Sequence, residues 1–388
     1  MARLTLPRGM LALAGVLLMA YALTSATTSG ARVDARSDPA AEAGPDQAVA
    51  GAEARHRPGR SPRPTRELFP PQGKTFIGVM TEKGPHDFTA TNMFTAAAKR
   101  QPQAMLFSAG WAADTFDRTL FDQISSRGML PMLGWEPWDY RPGEAAIERG
   151  LPTHEVDRAR IEQPRYRLAN IARGDFDGYL RSWADGIKSL GYPVAIRFAH
   201  EMNGYWYPWC ETVNGNGPGD YVKAWRHVRD LFRAAGATNV TWVWSPNNRW
   251  DTSTPELSTF YPGDEYVDWV GISGYYSTVF ATEYRSFNKI FAASIKDVRA
   301  FTGKPLVITE TGASDADGRK AEWIAEAFRS LHQYKDIIGV IWFEVDKETD
   351  WRIASSPDAA RAFAQAVDDP RYTFTWSPDM VLRPTVAD

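Results

Sequence analysis

Cysteine is almost absent from the 388-residue sequence, and Cys210 is the only one. A single cysteine excludes an intrachain disulfide framework, a cysteine-based zinc site and a CxxC redox pair. The stability of the folded chain must therefore come from the packing of its side chains.

The sequence also lacks an excess of positive charge. Its 44 Lys and Arg residues are balanced by 47 Asp and Glu residues, which leaves a net charge of −3. No overall basic field is available to hold nucleic acid, so we expect no nucleic-acid partner. Hydrophobic residues at 44% and charged residues at 23% are ordinary globular usage. This composition fits neither a disordered chain nor a polytopic membrane protein.

The N-terminal apolar run is too short for a typical membrane-spanning helix. Arg3 and Arg8 precede an apolar stretch at 10–23, and small residues follow as far as Ala31. A spanning helix needs about 18 or more apolar residues. The pattern predicts a secretory signal peptide over 1–31, with an uncleaved N-terminal membrane anchor as the alternative. We therefore expect a secreted, extracellular protein, with membrane or wall association as the second option.

The next segment, 32–72, is rich in Ala, Pro, Arg, Gly and Asp and has neither helical nor strand periodicity. Such a composition cannot bury enough apolar surface to fold, so the segment is predicted to be a disordered linker. Residues 73–388 remain as one predicted folded domain.

The folded part alternates short apolar runs with longer segments of helical period, which is typical of parallel βα units. The predicted strands are 75–80, 104–108, 129–135, 194–199, 240–245, 269–275, 306–310 and 338–344. The predicted helices are 116–127, 176–190, 220–235, 287–301, 319–333 and 357–367. Eight strands favour an α/β fold of the (β/α)8 TIM barrel type. An open doubly wound sheet is the alternative, but the first strand lacks the glycine-rich phosphate turn that this fold needs.

Two glutamates stand at the ends of predicted strands. Glu201 follows strand four and Glu310 ends strand seven. Because the C-terminal ends of barrel strands share one face, the two side chains should converge there. Glycoside hydrolysis needs two carboxylates, one to protonate the leaving oxygen and one to attack the anomeric carbon or activate water. Either glutamate alone could be a structural ion-pair residue, but the pair favours catalysis.

Aromatic residues are abundant, with 15 Trp, 15 Tyr and 19 Phe. An indole face can stack on a sugar ring, but it also fills ordinary cores. The candidate sugar platforms are Trp111, Trp206, Trp209, Trp244, Trp250 and Trp351. We expect about half of these to be packing residues.

The residues around the two glutamates resemble a known family. The run Arg197-Phe198-Ala199-His200-Glu201-Met202-Asn203-Gly204 with Trp206, followed by Ile308-Thr309-Glu310-Thr311-Gly312, is similar to glycoside hydrolase family 26. That family has (β/α)8 barrels with catalytic glutamates after strands four and seven, and is best known for endo-β-1,4-mannanases.

The resemblance implies a retaining double displacement with Glu201 as general acid/base and Glu310 as nucleophile. It also implies substrate-binding roles for His200 beside the acid/base and for Trp206. Tyr275 would hydrogen-bond the nucleophile, and Trp342 on strand eight would be the sugar platform at the cleavage subsite.

The loop after strand three departs from the mannanases of that family, which tend to carry a histidine in this region. The sequence Gly134-Trp135-Glu136-Pro137-Trp138 instead resembles the mixed-linkage β-glucanases of the family. Trp135 is expected to line the cleft, and Glu136 either binds a sugar hydroxyl or caps the loop. Arg197 lies on the same strand face as Glu201 and is expected to be an ion-pair partner, with substrate contact as the alternative.

The sequence thus predicts a retaining endo-β-glycanase that hydrolyses β-1,4-linked polysaccharide, with β-mannan as the first choice. A mixed-linkage β-1,3-1,4-glucan or the producer's own exopolysaccharide is the alternative substrate. The alternative of another class is a non-catalytic carbohydrate-binding barrel. The motifs imply no cofactor and no metal, and we expect a monomer whose partner is its polysaccharide substrate.

Overall fold

The computed structural model of the chain describes residues 67–249, 255–279 and 281–382. The predicted signal segment 1–31 and most of the predicted linker 32–72 lie outside the described residues. Within the described part of the chain, no helix has the length and apolarity needed to cross a membrane.

Eight parallel strands close into a barrel. They are β1 Phe76–Thr81, β2 Ala104–Gly110, β3 Leu130–Glu136, β4 Val194–Phe198, β5 Val240–Trp244, β6 Trp269–Ser273, β7 Leu306–Thr311 and β8 Ile337–Glu344. Each strand pairs with the next along the chain, and β8 pairs with β1, Phe76 lying opposite Gly339. The predicted (β/α)8 barrel is confirmed, and the predicted strand ends differ from the observed ones by no more than two residues.

Helices surround the barrel. They are α1 Thr89–Ala98, α2 Arg118–Ser126, α3 Arg141–Glu148, α4 Thr153–Ile161, α5 Leu168–Arg173, α6 Asp177–Leu190, α7 Asp220–Ala235, α8 Phe287–Arg299, α9 Lys320–Leu331 and α10 Pro357–Val367. Side-chain caps start several of them, such as the Ser286 hydroxyl, which accepts from the Lys289 amide at the start of α8. After β5, the described residues form only the short 3-10 helices Leu257–Phe260 and Asp264–Tyr266 in place of an α-helix.

The core has two layers, as a closed barrel requires. One fills the barrel interior and includes Met132, Trp269 and Ile341. The other lies between the strands and the helices and includes Trp183 and Phe363. Every strand is therefore buried on both faces, and its polar residues concentrate at the C-terminal end, where the candidate site lies.

A two-residue parallel pair lies outside the barrel sheet, with Leu68–Phe69 on one side and Val381–Leu382 on the other. It joins the two ends of the described chain. The segments before the first barrel strand and after the last helix are thereby paired with each other.

Candidate active site

Glu310 on β7 is held by two donors at the barrel mouth. The Arg197 guanidinium on β4 forms an ion pair with its Oε1, and both side chains are completely buried. The hydroxyl of Tyr275, which follows β6, donates to its Oε2. The cation on one oxygen and the hydroxyl on the other hold the carboxylate group in one orientation, as a nucleophile requires.

Arg197 is itself fixed by the neighbouring strands. Its Nε donates to the Ser245 hydroxyl at 2.9 Å, and its Nη2 donates to the Ser273 hydroxyl at 2.7 Å. These bonds hold the guanidinium in one orientation toward Glu310. The expectation that Arg197 is an ion-pair partner is therefore confirmed.

Glu201 is the second buried carboxylate of the mouth. Its Oε1 accepts from Asn247 Nδ2 at 2.8 Å, and its Oε2 accepts from Trp206 Nε1 at 3.0 Å. Burial, and next the negative charge of Glu310, raise the pKa of Glu201 to about 7. The two carboxyl groups thus differ as a general acid and a nucleophile must, since one favours its protonated form and the other is ion-paired.

The backbone turns sharply where β4 ends. Ala199 and Glu201 have φ angles of 43° and 55°, in the left-handed region that non-glycine residues seldom adopt. The amide of Ala199 donates to Trp135 O at 3.0 Å, and that of Glu201 donates to Ser245 O at 2.7 Å. The neighbouring strands thereby fix a costly conformation and place the Glu201 side chain in the mouth.

Trp206 and Tyr275 are the half-buried members of the site, whereas Glu201 and Glu310 are fully buried. Each of these aromatic side chains is bonded to one of the carboxylates. Trp206 and Tyr275 therefore form the solvent-facing part of the site, and both predicted positions lie at the site.

His200 also lies beside the acid/base and is fully buried. Its Nε2 is 3.3 Å from the hydroxyl of Tyr207, and its ring packs against Tyr207 and Trp209. Burial, and then the charge of Arg197, hold the pKa of His200 well below its usual value. The imidazole is therefore neutral and can donate or accept a hydrogen bond at the edge of the site.

Trp342 was predicted to be the sugar platform, and the structure contradicts this. Its indole lies in the outer layer, 5.3 Å from the Phe363 ring of α10 and 6.4 Å from the Trp323 ring of α9. Its Nε1 donates to Trp351 O at 3.1 Å. The next residue, Phe343, points to the mouth instead and packs edge-on against Tyr275 at 5.6 Å. Trp342 is a core residue.

The expectation that Trp135 lines the cleft is also wrong. Its indole is buried between β3 and the helices, 5.3 Å from the Trp183 ring of α6 and 5.5 Å from the Phe232 ring of α7. The buried members of the other platform candidates are Trp111, Trp209, Trp244 and Trp351. Trp250 lies outside the described residues, and Trp206 is the candidate whose ring is partly exposed.

The motifs assign no role to Asn247, although the structure places its side chain beside Glu201. Its amide nitrogen donates to Glu201, and its backbone exchanges hydrogen bonds with the Asn203 side chain at 2.8 and 2.9 Å. The available signal was its position just beyond β5. Within the described part of the chain, no group of three or more His, Cys, Asp or Glu side chains is placed to hold a metal ion.

Comparisons with known proteins agree with this geometry. The model of "Glycosyl hydrolase family 26" matches residues 169–339. Endoglucanase H of Acetivibrio thermocellus is 34% identical over 267 residues, which cover 66% of this chain and 26% of the relative. A mannan endo-1,4-beta-mannosidase of Bacillus subtilis is 30% identical over 146 residues, 35% of each chain.

Among solved structures, a family 26 β-mannanase from Bacteroides ovatus superposes with a TM-score of 0.56 at 18% identity. The match covers 78% of this chain and 90% of that one, and it supports the fold. The chain spans about a quarter of the length of Endoglucanase H and about a third of that of the Bacillus subtilis mannosidase. The matched family model, the relatives and the barrel agree in pointing to glycosyl hydrolase family 26, to which this chain is similar.

Proposed function

We propose that this protein is a retaining endo-β-glycanase in which Glu310 attacks the anomeric carbon and Glu201 is the general acid/base. The observation that carries the proposal is the unlike environment of two buried carboxylates in one barrel mouth. Glu310 is paired with the Arg197 guanidinium, whereas the pKa of Glu201 is raised to about 7. A retaining pair needs one ionised and one protonated carboxyl group at the start of the reaction.

In the first step, Glu310 forms a bond to the anomeric carbon while Glu201 passes its proton to the leaving oxygen. The product is a covalent glycosyl-enzyme. In the second step, Glu201 removes a proton from water, which attacks the same carbon and releases Glu310. Tyr275 and Arg197 hold the Glu310 carboxylate in position through both steps, and Asn247 and Trp206 hold Glu201.

For the substrate, we propose a β-glucan ahead of β-mannan, which reverses the order favoured by the motifs alone. Two observations support glucan. The first is that Endoglucanase H aligns over 66% of this chain, against 35% for the mannosidase of Bacillus subtilis. The second is that the Trp135-Glu136-Pro137 loop differs from the mannanase pattern. Export as a secreted monomer remains part of the same proposal.

A polysaccharide screen tests the proposal. Purified wild-type protein and Glu310→Gln are incubated with mixed-linkage β-glucan, β-mannan and xylan, and new reducing ends and product lengths are measured. We expect the wild type to release oligosaccharides from β-glucan fastest and the variant to release none. The absence of hydrolysis by the wild type on all three polysaccharides, or equal rates for the two proteins, would refute the proposal.

A further inference from the structure

A second group of buried polar side chains lies beside the catalytic carboxylates. Glu136 at the end of β3 is 1% exposed, and Arg160 on α4 is 9% exposed. Lys347 follows β8, and the exposure of its side chain is 13%. We call Glu136, Arg160 and Lys347 the lateral cluster. None of the three is used by the two catalytic steps.

The lateral cluster is continuous with the active site. Glu136 Oε2 accepts from Trp138 Nε1 at 2.9 Å, and the Trp138 ring packs edge-on against Tyr207 at 5.5 Å. The Tyr207 hydroxyl lies 3.3 Å from Nε2 of His200. The charges of Glu136 and Lys347 both interact with the charge of Glu310. The cluster therefore faces the same mouth as the proposed nucleophile.

Two donors of the lateral cluster are not satisfied by the protein. Arg160 Nη2 and Lys347 Nζ are both buried and have no hydrogen-bond partner among the described residues. The Lys347 ammonium is 3.8 Å from Glu348 Oε1, which is an ion-pair distance and too long for a hydrogen bond. Buried cationic donors in proteins normally have partners, so two such donors beside a substrate cleft indicate ligand groups that complete them.

The charge balance of the lateral cluster favours a neutral ligand. Burial raises the pKa of Glu136 to about 7 and lowers that of Lys347 to about 7. The charge of Glu348 partly offsets those of Lys347 and Arg160. Sugar hydroxyls can accept from the two cationic side chains and donate to the carboxyl group without bringing a charge into the cluster.

From these contacts we propose that Glu136, Arg160 and Lys347 form a glycone-side subsite that binds hydroxyls of a neutral sugar next to the one cleaved. This inference rests on the proposed function. The side follows from the strand order: Lys347 follows β8, which pairs with β7, the strand that carries Glu310. Glu310 attacks the glycone sugar. The leaving sugar lies toward Glu201, which protonates the oxygen of the bond that breaks.

Aryl β-glycosides of one and three sugars, built from the sugar of the preferred polysaccharide, test the subsite. A one-sugar substrate cannot reach it, whereas a three-sugar substrate can. We expect Lys347→Met to lose about ten- to hundredfold more kcat/KM on the three-sugar than on the one-sugar substrate, mainly through KM. Lys347→Arg should recover part of the loss because it keeps a cationic donor.

The matched control is Lys335→Met, which removes an exposed lysine just before β8, at the opposite end of the strand. It should behave as wild type on both substrates. If the melting temperature of Lys347→Met differs from that of the wild type, Glu136→Gln provides a second variant. Glu136→Gln should show the same dependence on substrate length. Equal losses on the two substrates, or no loss on either, would overturn the subsite. A wild-type protein that cleaves neither substrate would remove the proposed function and this inference together.

Discussion

The buried ion pair between Arg197 and Glu310 allows a prediction that does not depend on any substrate. Arg197→Met keeps an unbranched apolar stem but removes the cation, and it leaves the Glu310 carboxylate buried with the Tyr275 hydroxyl as a donor. The hydroxyls of Ser245 and Ser273 also lose the guanidinium that donates to them. Stability should therefore fall sharply.

The magnitude follows from the burial of both partners, which is complete. Removing one partner of a buried ion pair costs about 3–5 kcal/mol, because the other charge is left without compensation. The entropy of unfolding is about 2.1 cal/mol/K per residue, so for the roughly 310 described residues each kcal/mol lowers the melting temperature by about 1.5 °C. Arg197→Met should therefore melt about 5–8 °C below the wild type.

A double-mutant cycle measures the coupling. We expect Arg197→Met/Glu310→Gln to be more stable than the sum of the two single effects by about 2 kcal/mol or more, because the double variant buries no unpaired charge. Urea unfolding of the four proteins at neutral pH gives the four free energies of unfolding. Additivity within about 0.5 kcal/mol would show that the two side chains do not interact, and would refute the reasoning that the buried ion pair couples them.

Three further predictions concern single side chains. Glu310→Ala should abolish turnover while the melting curve stays cooperative, and added azide should restore some cleavage with inverted product; wild-type activity would remove Glu310 from the mechanism. Glu201→Ala should slow the glycosylation step less for substrates with good leaving groups, because these need little proton donation. For the wild type, kcat/KM should fall as the pH rises through about 7, because the pKa of Glu201 is raised to about 7 and the general acid must be protonated. A leaving-group series in which all substrates suffer equally would contradict this role. Trp342→Ala should cost about 3–5 kcal/mol of stability with little change in turnover per folded molecule, because its indole packs between the barrel and α9 and α10. A hundredfold loss in kcat/KM with unchanged unfolding would restore Trp342 as a sugar platform.

The sequence by itself determined the barrel and the place of the two glutamates. The strands that lead to Glu201 and Glu310 can be recognised as apolar runs in the sequence, because parallel strands are buried on both faces and become polar only where they leave the core. The same reasoning placed Arg197, four residues before Glu201, on the inner face of β4. These features depend only on the order of residues within one strand, so they can be predicted from the sequence.

Only the tertiary structure decided which aromatic side chains face the cleft. β8 reads Ile-Ile-Gly-Val-Ile-Trp-Phe-Glu, and all eight residues are buried. Such a run has no polar alternation that separates the inner face from the outer, so a shift of one residue exchanges Trp342 for Phe343. The pairing of β8 with β1 shows the outcome: Trp342 lies opposite Val79, and both side chains belong to the layer between the strands and the helices. This pairing cannot be read from the run itself.

The lateral cluster was decided in the same way by the tertiary structure. Glu136, Arg160 and Lys347 come from a strand end, a helix and a loop that are up to about 200 residues apart. The side chains of the lateral cluster face the same barrel mouth only because the closed sheet brings the ends of β3 and β8 to it. The sequence specifies the residues at the strand ends, whereas the curvature of the closed sheet specifies which of them meet.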